Sequence, residues 1–354
     1  MSAVPAEPLQ RGTLLLRLPL VTLYLSERCN SRCVTCDYWR HGRADMNLAT
    51  VQGLLPSLAS LETEAVLISG GEPLLNPDWA EIAQLLRDQG LKLWLLTSGL
   101  SLAKHARRVS ELFDAVTVSL DGTDAATYAA IRGLDAFDKV CEGIRAAIAA
   151  GAPVDVRVTV QRANYRQMPL FVTLARQLGV RQVSFLAVDV ANPHAFGRLD
   201  DFAAGLALQP DDLPELERVL DSLEREPEAF HSGLIAESPP KLRRLLQYFR
   251  AIHGQSAYPP VRCNAPEFSA VVDAQGRVRP CFFIAGPDEA ALAQGTLPAA
   301  LNGTAMVGLR EDIRSGARPE CATCVCSMWR DLHHGEPLIR PTRPGARAGT
   351  VGRS

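Results

Sequence analysis

The chain lacks any apolar run long enough to cross a membrane. The stretch near its start, Leu14–Leu25, is interrupted by Arg17 and Pro19 and carries no small-residue cleavage site. It is too short for a span and does not read as a secretory signal. An excess of charge is lacking as well: 37 Lys and Arg against 39 Asp and Glu leave a formal net charge of −2. No whole-molecule field therefore recruits nucleic acid or an anionic membrane surface. A paired cysteine framework is the third absence. The nine cysteines are odd in number and clustered, in a 354-residue chain without a secretion signal. Such a set reads as metal ligands rather than disulfides, and a cytoplasmic, reducing setting is the expectation. The length suggests one large domain with a smaller one beside it.

What is present starts with Cys29, Cys33 and Cys36, spaced C-x3-C-x2-C directly after the strand-like run Val21–Leu25. Three thiolates from one loop can grip one compact metal centre. A structural zinc site closes its shell with four ligands, whereas three protein ligands leave an open position. Thiolates are the usual holders of iron–sulfur clusters, and a four-iron cluster on three cysteines keeps one iron without a protein ligand. A zinc knuckle or reduced structural thiols are the plainer alternatives.

Along the chain, Asn47 caps a helix with Val51, Leu54, Leu55 and Leu58 on its apolar side. A buried-type strand Ala65–Ser69 ends in Gly70-Gly71-Glu72-Pro73, and Asn76-Pro77 opens a helix that Gly90 closes. The cycle repeats: strand Leu93–Leu96, turn Thr97-Ser98-Gly99, helix Leu102–Leu112, then strand Ala115–Leu120 with Asp121-Gly122. A helix through Val140, Ile144 and Ile148 stops at Gly151, strand Val154–Val160 leads to helix Leu170–Leu178, and strand Gln182–Val188 completes the series. Six strands alternating with helices predict a parallel sheet with right-handed crossovers. Every unusual segment falls at the C-terminal end of its strand, the edge that carries active sites in such sheets. Helices over Asp211–Leu223 and Pro239–His253 follow. Cys141 lies on an apolar helix face and reads as core.

A second cysteine group lies downstream. Alternation on both sides of Gln275-Gly276 predicts a β-hairpin with Cys263 and Cys281 at its ends. Cys321, Cys324 and Cys326 follow near the tail. Four thiolates from a hairpin and a C-x2-C loop suit a closed four-iron cluster or a zinc site, and spacing alone does not separate them.

The cysteine loop, followed one strand later by Gly70-Gly71-Glu72-Pro73, resembles the radical S-adenosylmethionine (SAM) enzymes. The resemblance covers roughly residues 20–330 and implies a partial (β/α)6 TIM-like barrel. It further implies a [4Fe-4S] cluster on Cys29, Cys33 and Cys36, whose open iron binds SAM for reductive cleavage to a 5′-deoxyadenosyl radical. One departure is Thr35, where an aromatic residue usually precedes the third cysteine. Gly70, Gly71, Glu72 and Pro73 match the SAM-amine motif; the glycines allow close backbone approach. Ser119 resembles a SAM-contacting strand position, with a satisfied strand hydroxyl as the plainer reading; Arg132 in Ile131-Arg132-Gly133 is read as a bidentate partner of the SAM carboxylate or as a member of a surface salt bridge. The second group resembles the twitch form of the SPASM domain. That likeness assigns Cys263, Cys281, Cys321 and Cys324 to an auxiliary [4Fe-4S] cluster, with Cys326 as a spare.

These readings divide the chain into an extension 1–19, a radical SAM core 20–210, a helical bridge 211–262, a hairpin-plus-helix auxiliary domain 263–332 and a disordered tail 333–354. The layout resembles aminocyclitol (2-deoxy-scyllo-inosamine) dehydrogenases, which implies oxidation of a small-molecule alcohol. The alternatives are a ribosomal-peptide maturase, a cofactor-forming enzyme of the molybdopterin or haem type, and, from another class, a zinc-binding interaction protein on a decayed barrel. A flavodoxin- or ferredoxin-type electron donor is implied; membrane and nucleic acid are not. No catalytic base is assigned. Arg157 on the fifth strand is a candidate for catalysis or substrate binding; His194, His333 and His334 are candidate ligands or bases, though a lone histidine is usually neither.

Overall fold

The computed structural model describes residues 14–192, 196, 198–199, 205–288 and 290–331. Among the described residues, eight strands form one sheet: β1 (Leu20–Ser26), β2 (Ala65–Gly70), β3 (Lys92–Thr97), β4 (Ala115–Ser119), β5 (Val154–Val160), β6 (Val183–Ala187), β7 (Ser269–Val272) and β8 (Val278–Arg279). Their spatial order is β6-β5-β4-β3-β2-β1-β7-β8. Neighbours pair in parallel from β6 through to β7, and only β8 runs antiparallel. The six expected strands and the downstream hairpin are therefore all present. The pairing of β7 with β1 was not legible in the sequence, because two local strand patterns carry no information about which edges meet.

Alternation along each strand decides what faces where. On β5, Val154, Val156, Val158 and Val160 are buried, while Asp155, Arg157 and Thr159 line an interior cavity. The same phase runs through β4, with Val116 and Val118 opposite the cavity residues Ala115, Thr117 and Ser119. Side chains on a strand point alternately to opposite faces, so one face packs on helices and the other lines open space. The covering helices are Leu48–Ser60, Trp79–Asp88, Leu102–Leu112, Phe137–Ala149 and Met168–Leu178. Cys141 is buried among them, as core.

The free edge of β6 is covered. Val183 N donates to Leu234 O at 2.7 Å, Ala236 N to Val183 O at 3.0 Å, and Phe185 N to the Glu237 carboxylate at 3.0 Å. A covered edge cannot recruit a strand from another chain. The helix after this cover, Pro239–Ile252, and the helix Leu213–Glu224 match the expected pair.

Two local readings need correction. Asn76 does not cap a helix; its amide donates to Leu25 O at 2.7 Å and Met46 O at 2.8 Å, and its carbonyl accepts from Asp78 N at 2.7 Å. It is a buried cross-link behind the cysteine loop, and the helix starts at Trp79. A further helix, Ala125–Arg132, went unread, although Asp124 caps it by accepting from Thr127 N at 2.8 Å and Gly133 ends it at φ 74°. His194, His333, His334 and the tail 333–354 lie outside the described residues.

Candidate functional site

The cysteine loop is held between two glycine-bearing segments. Gly71 N donates to Ser26 O at 2.8 Å and Glu72 N to Arg28 O at 2.8 Å, which joins the Gly-Gly turn to the start of the loop. A Cβ on Gly71 would stand 2.3 Å from Arg28 O, and one on Gly70, itself at φ +120°, 2.6 Å from Ser26 O. On the far side Arg32 N donates to Arg132 O at 3.0 Å and Val34 N to Ile131 O at 2.9 Å. A Cβ on Gly133 would meet Arg32 O at 2.4 Å. Ile131-Arg132-Gly133 is thus a dock for the cysteine loop, a use the sequence did not show.

Glu72 is fully buried, and its carboxylate accepts from Thr97 Oγ1 at 2.8 and 3.0 Å, Ser98 N at 2.7 Å and Leu74 N at 3.1 Å. Ser98 Oγ in turn donates to Asn30 Oδ1 at 3.1 Å, beside Cys29. Glu72 therefore ties the Thr97-Ser98-Gly99 turn to the cysteine loop. Gly70 and Gly71 line the cavity, whereas Glu72 and Pro73 stand behind its wall.

That cavity, about 1090 Å³, is lined by Cys29, Cys33 and Cys36 together with Thr35, Ser119, Arg132 and Arg157. The sequence motifs do converge on one mouth. Tyr24, Trp94, Phe282, Phe283 and Met328 also line it, and no motif had singled these out. Their signal was the strand phase and the hairpin's far end.

Burial pushes the Cys29 thiol up to about 11 and raises Cys33 and Cys36 as well. A thiolate is therefore unfavourable there without an opposing charge, which a metal centre supplies. Arg132 is buried, with Nη1 paired to Asp121 at 3.0 Å. Burial works against its cation, but the Asp121 carboxylate beside it holds it charged. Its Nε is buried with no acceptor, a donor left over for something in the cavity.

The second group closes round a separate void of about 40 Å³, lined by Cys263, Cys281, Cys321, Cys324 and Cys326. Asn264 clamps the last of these segments: its N donates to Met328 O at 2.9 Å and its amide to Arg330 O at 2.8 Å. Burial pushes Cys281 up to about 12 and raises Cys321, Cys324 and Cys326. Cys326, Phe282, Phe283 and Met328 line both cavities and form the partition between them. Among the described residues, no three His, Cys, Asp or Glu side chains converge as the ligands of a single ion would. A cubane presents its irons at separate corners and is held by more widely spaced thiolates.

The Radical SAM superfamily profile matches residues 23–174. A relative from Methanopyrus kandleri, described as "Probable GTP 3',8-cyclase", is 32% identical over 228 residues, covering 61% of this chain and 71% of that protein. The chain belongs to the radical SAM superfamily. A second relative of the same description, from Saccharolobus islandicus, is 29% identical over 205 residues; the match takes in 56% of this chain and 63% of that protein, under two thirds of its length. Among solved structures, Streptococcus suis SuiB bound to S-adenosylmethionine superposes with TM-score 0.64 at 14% identity, over 84% of this chain and 68% of that one. Native anSMEcpe with bound AdoMet and Cp18Cys peptide gives 0.62 at 19% identity, over 82% and 81%. These two likenesses bear on the fold, and they agree with the partial barrel.

Membership of this radical SAM superfamily implies SAM and one [4Fe-4S] cluster, and the residues fit. Three half-buried cysteines face one cavity, Gly70 and Gly71 line it beside them, and Arg132 Nε has no protein acceptor. The similarity to aminocyclitol dehydrogenases is not reproduced by these relatives, both described as "Probable GTP 3',8-cyclase". No described helix is long and apolar enough to cross a membrane.

Proposed function

We propose that this enzyme transforms a small molecule by radical chemistry of the cofactor-forming kind, in the cavity between its two cysteine groups. The carrying observation is that one cavity of about 1090 Å³ is lined by Cys29, Cys33 and Cys36 and also by Cys326 of the second group. That volume stands at the upper end for small-molecule sites, which suits SAM with a compact substrate beside it. A four-iron cluster on Cys29, Cys33 and Cys36 would supply reductive cleavage of SAM to a 5′-deoxyadenosyl radical. The chain's own part is to position: Gly70 and Gly71 offer backbone to the SAM ammonium, and Arg132 Nε and Ser119 offer donors to its carboxylate. The partition Phe282, Phe283 and Met328 limits water around the reacting carbon.

On this reading residues 20–210 are the catalytic core, 211–262 the bridge and 263–332 the auxiliary domain. Cys263, Cys281, Cys321 and Cys324 hold a second [4Fe-4S] cluster. The electron donor is of flavodoxin or ferredoxin type, and the setting is cytoplasmic. Alcohol oxidation remains the second reading, because a redox centre behind a partition of four side chains would place a one-electron acceptor beside the substrate. A peptide substrate, as in Streptococcus suis SuiB bound to precursor peptide SuiA, has only a fold likeness at 15% identity behind it.

The test is anaerobic reconstitution followed by iron, sulfide and 5′-deoxyadenosine measurement with dithionite as reductant. Nucleoside triphosphates, aminocyclitols and short peptides are then offered in turn. A rearranged or cyclised small-molecule product supports the proposal; a ketone from an aminocyclitol, or a modified peptide, overturns it in favour of the corresponding alternative.

A further inference from the structure

Arg157 is the fourth residue of β5, with Ser119 of β4 and Ser184 of β6 as its register partners. The strand phase turns it into the cavity, in the same row as Asp155 and Thr159. Its Nε is buried with no acceptor, and no carboxylate among the described residues forms a salt bridge with it. The nearby acids are already engaged. Asp155 takes both Nε and Nη2 of Arg181, at 3.0 and 2.6 Å. Glu237 accepts from Phe185 N at 3.0 Å. Asp121 is held by Arg132 at 3.0 Å and Thr159 N at 2.7 Å. The buried Nε is a donor that a ligand oxygen in the cavity would satisfy.

The two cavity arginines without full partners stand on different sides. Arg132 stands at the cysteine loop, where its carbonyl accepts from Arg32 N at 3.0 Å. Arg157 stands beside β6, where Ser184 is its register partner and the next residue, Phe185, is bonded to Glu237; Cys326 of the second group lines the same cavity. A guanidinium offers a planar fork that matches a carboxylate or phosphate with two parallel hydrogen bonds.

We infer that Arg157 anchors an oxyanion of the substrate, so that the substrate class is a small molecule carrying a carboxylate or phosphate. This inference rests on the cavity's being the SAM and substrate site. The anchored end lies against β5, and the rest of the molecule extends between the cysteine loop and the partition made by Phe283 and Cys326. Arg132 is left for the other anion in the cavity, the SAM carboxylate.

The experiment is calorimetric titration of the reconstituted holoenzyme with pyrophosphate, with succinate and, separately, with SAM. Wild type, Arg157→Met, Arg157→Lys and Arg132→Met are compared. The expected result is that wild type binds at least one of the two probes and that Arg157→Met weakens it about tenfold or more, the scale of a charge-assisted hydrogen bond. SAM affinity stays within about twofold, Arg157→Lys is intermediate, and Arg132→Met shows the reverse pattern. Preference for pyrophosphate assigns a phosphorylated substrate, and preference for succinate a carboxylated one. Binding of neither probe by wild type, or probe binding within about twofold of wild type in Arg157→Met, overturns the inference. Iron content checks folding, and Arg157→Gln replaces the Met variant if that falls short. Absence of SAM cleavage in wild type would instead remove the reading on which the inference rests.

Discussion

Cys29, Cys33 and Cys36 come from a single loop and face a cavity of about 1090 Å³, whereas Cys263, Cys281, Cys321, Cys324 and Cys326 come from separated segments and close round a void of about 40 Å³. The difference follows from how each set is held. The first loop is gripped through backbone, by Gly70-Gly71 on one side and Arg132-Gly133 on the other. Its thiols are left facing open space. The second set is gathered by tertiary structure: the β7–β8 hairpin brings Cys281, and Asn264 clamps the chain that carries Cys326 beside Cys263. An open ligand set suits a centre that binds and cleaves a cosubstrate; a closed one suits a centre that only exchanges electrons.

The largest effect is expected where the open set is destroyed. Cys29→Ala/Cys33→Ala/Cys36→Ala should abolish 5′-deoxyadenosine formation and lower iron from about eight to about four per chain, if both groups carry four-iron clusters. Iron and nucleoside assays on the reconstituted protein decide it. Cleavage at the wild-type rate in the triple variant would end the distinction between the two regions. Cys321→Ala/Cys324→Ala is the complementary test. It should remove about four irons yet leave SAM cleavage measurable, because none of the residues facing the first loop is touched. Loss of all SAM cleavage in a folded double variant would show that the two sites are not separable.

The regions also differ in legibility. The first was readable because its ligands, its Gly-Gly turn and its strands are local patterns. The spacing did not reveal what the glycines do. Gly71 and Gly133 accommodate the cysteine loop's own backbone, at Arg28 O and Arg32 O, and only the folded chain brings those atoms to them. Glu72 was grouped with the cofactor motif, whereas its acceptors are used by Thr97 and Ser98, some 25 residues away. The helix Ala125–Arg132 is two turns long and alanine-rich, with little periodicity to detect. In the second region the hairpin was local and legible, but its parallel seat on β1 was not.

Gly133→Ala sharpens the comparison at smaller cost. A Cβ at φ 74° is strained, and here it would also stand 2.4 Å from Arg32 O. The two effects together should destabilise by about 2–4 kcal/mol and loosen the first cluster loop. Gly179→Ala is the control: φ is similar at 75°, but nothing lies within 4 Å of the added carbon. Thermal denaturation with iron analysis should show first-site iron lost in the Gly133 variant and retained in the control. Equal iron in both would mean that the dock does not shape the site.

The smallest effect is expected from Cys326→Ser. Five thiols surround the second void, and a four-iron cluster fully ligated by thiolates uses four. Cys263, Cys281, Cys321 and Cys324 keep the hairpin-plus-C-x2-C arrangement, and Cys326 alone among the five also lines the larger cavity. On the proposed ligand set, Cys326, on the partition, is the thiol left out. The serine variant should therefore keep about eight irons per chain and its SAM cleavage, with an altered product yield or rate, because a side chain facing the substrate has changed. Cys324→Ser, two positions earlier, should lose second-site iron. Iron counting and Mössbauer spectra of the two variants side by side distinguish the assignments. A loss of about four irons in Cys326→Ser with Cys324→Ser intact would exchange the two roles and put Cys324 outside the cluster, moving a cluster ligand onto the substrate-facing partition.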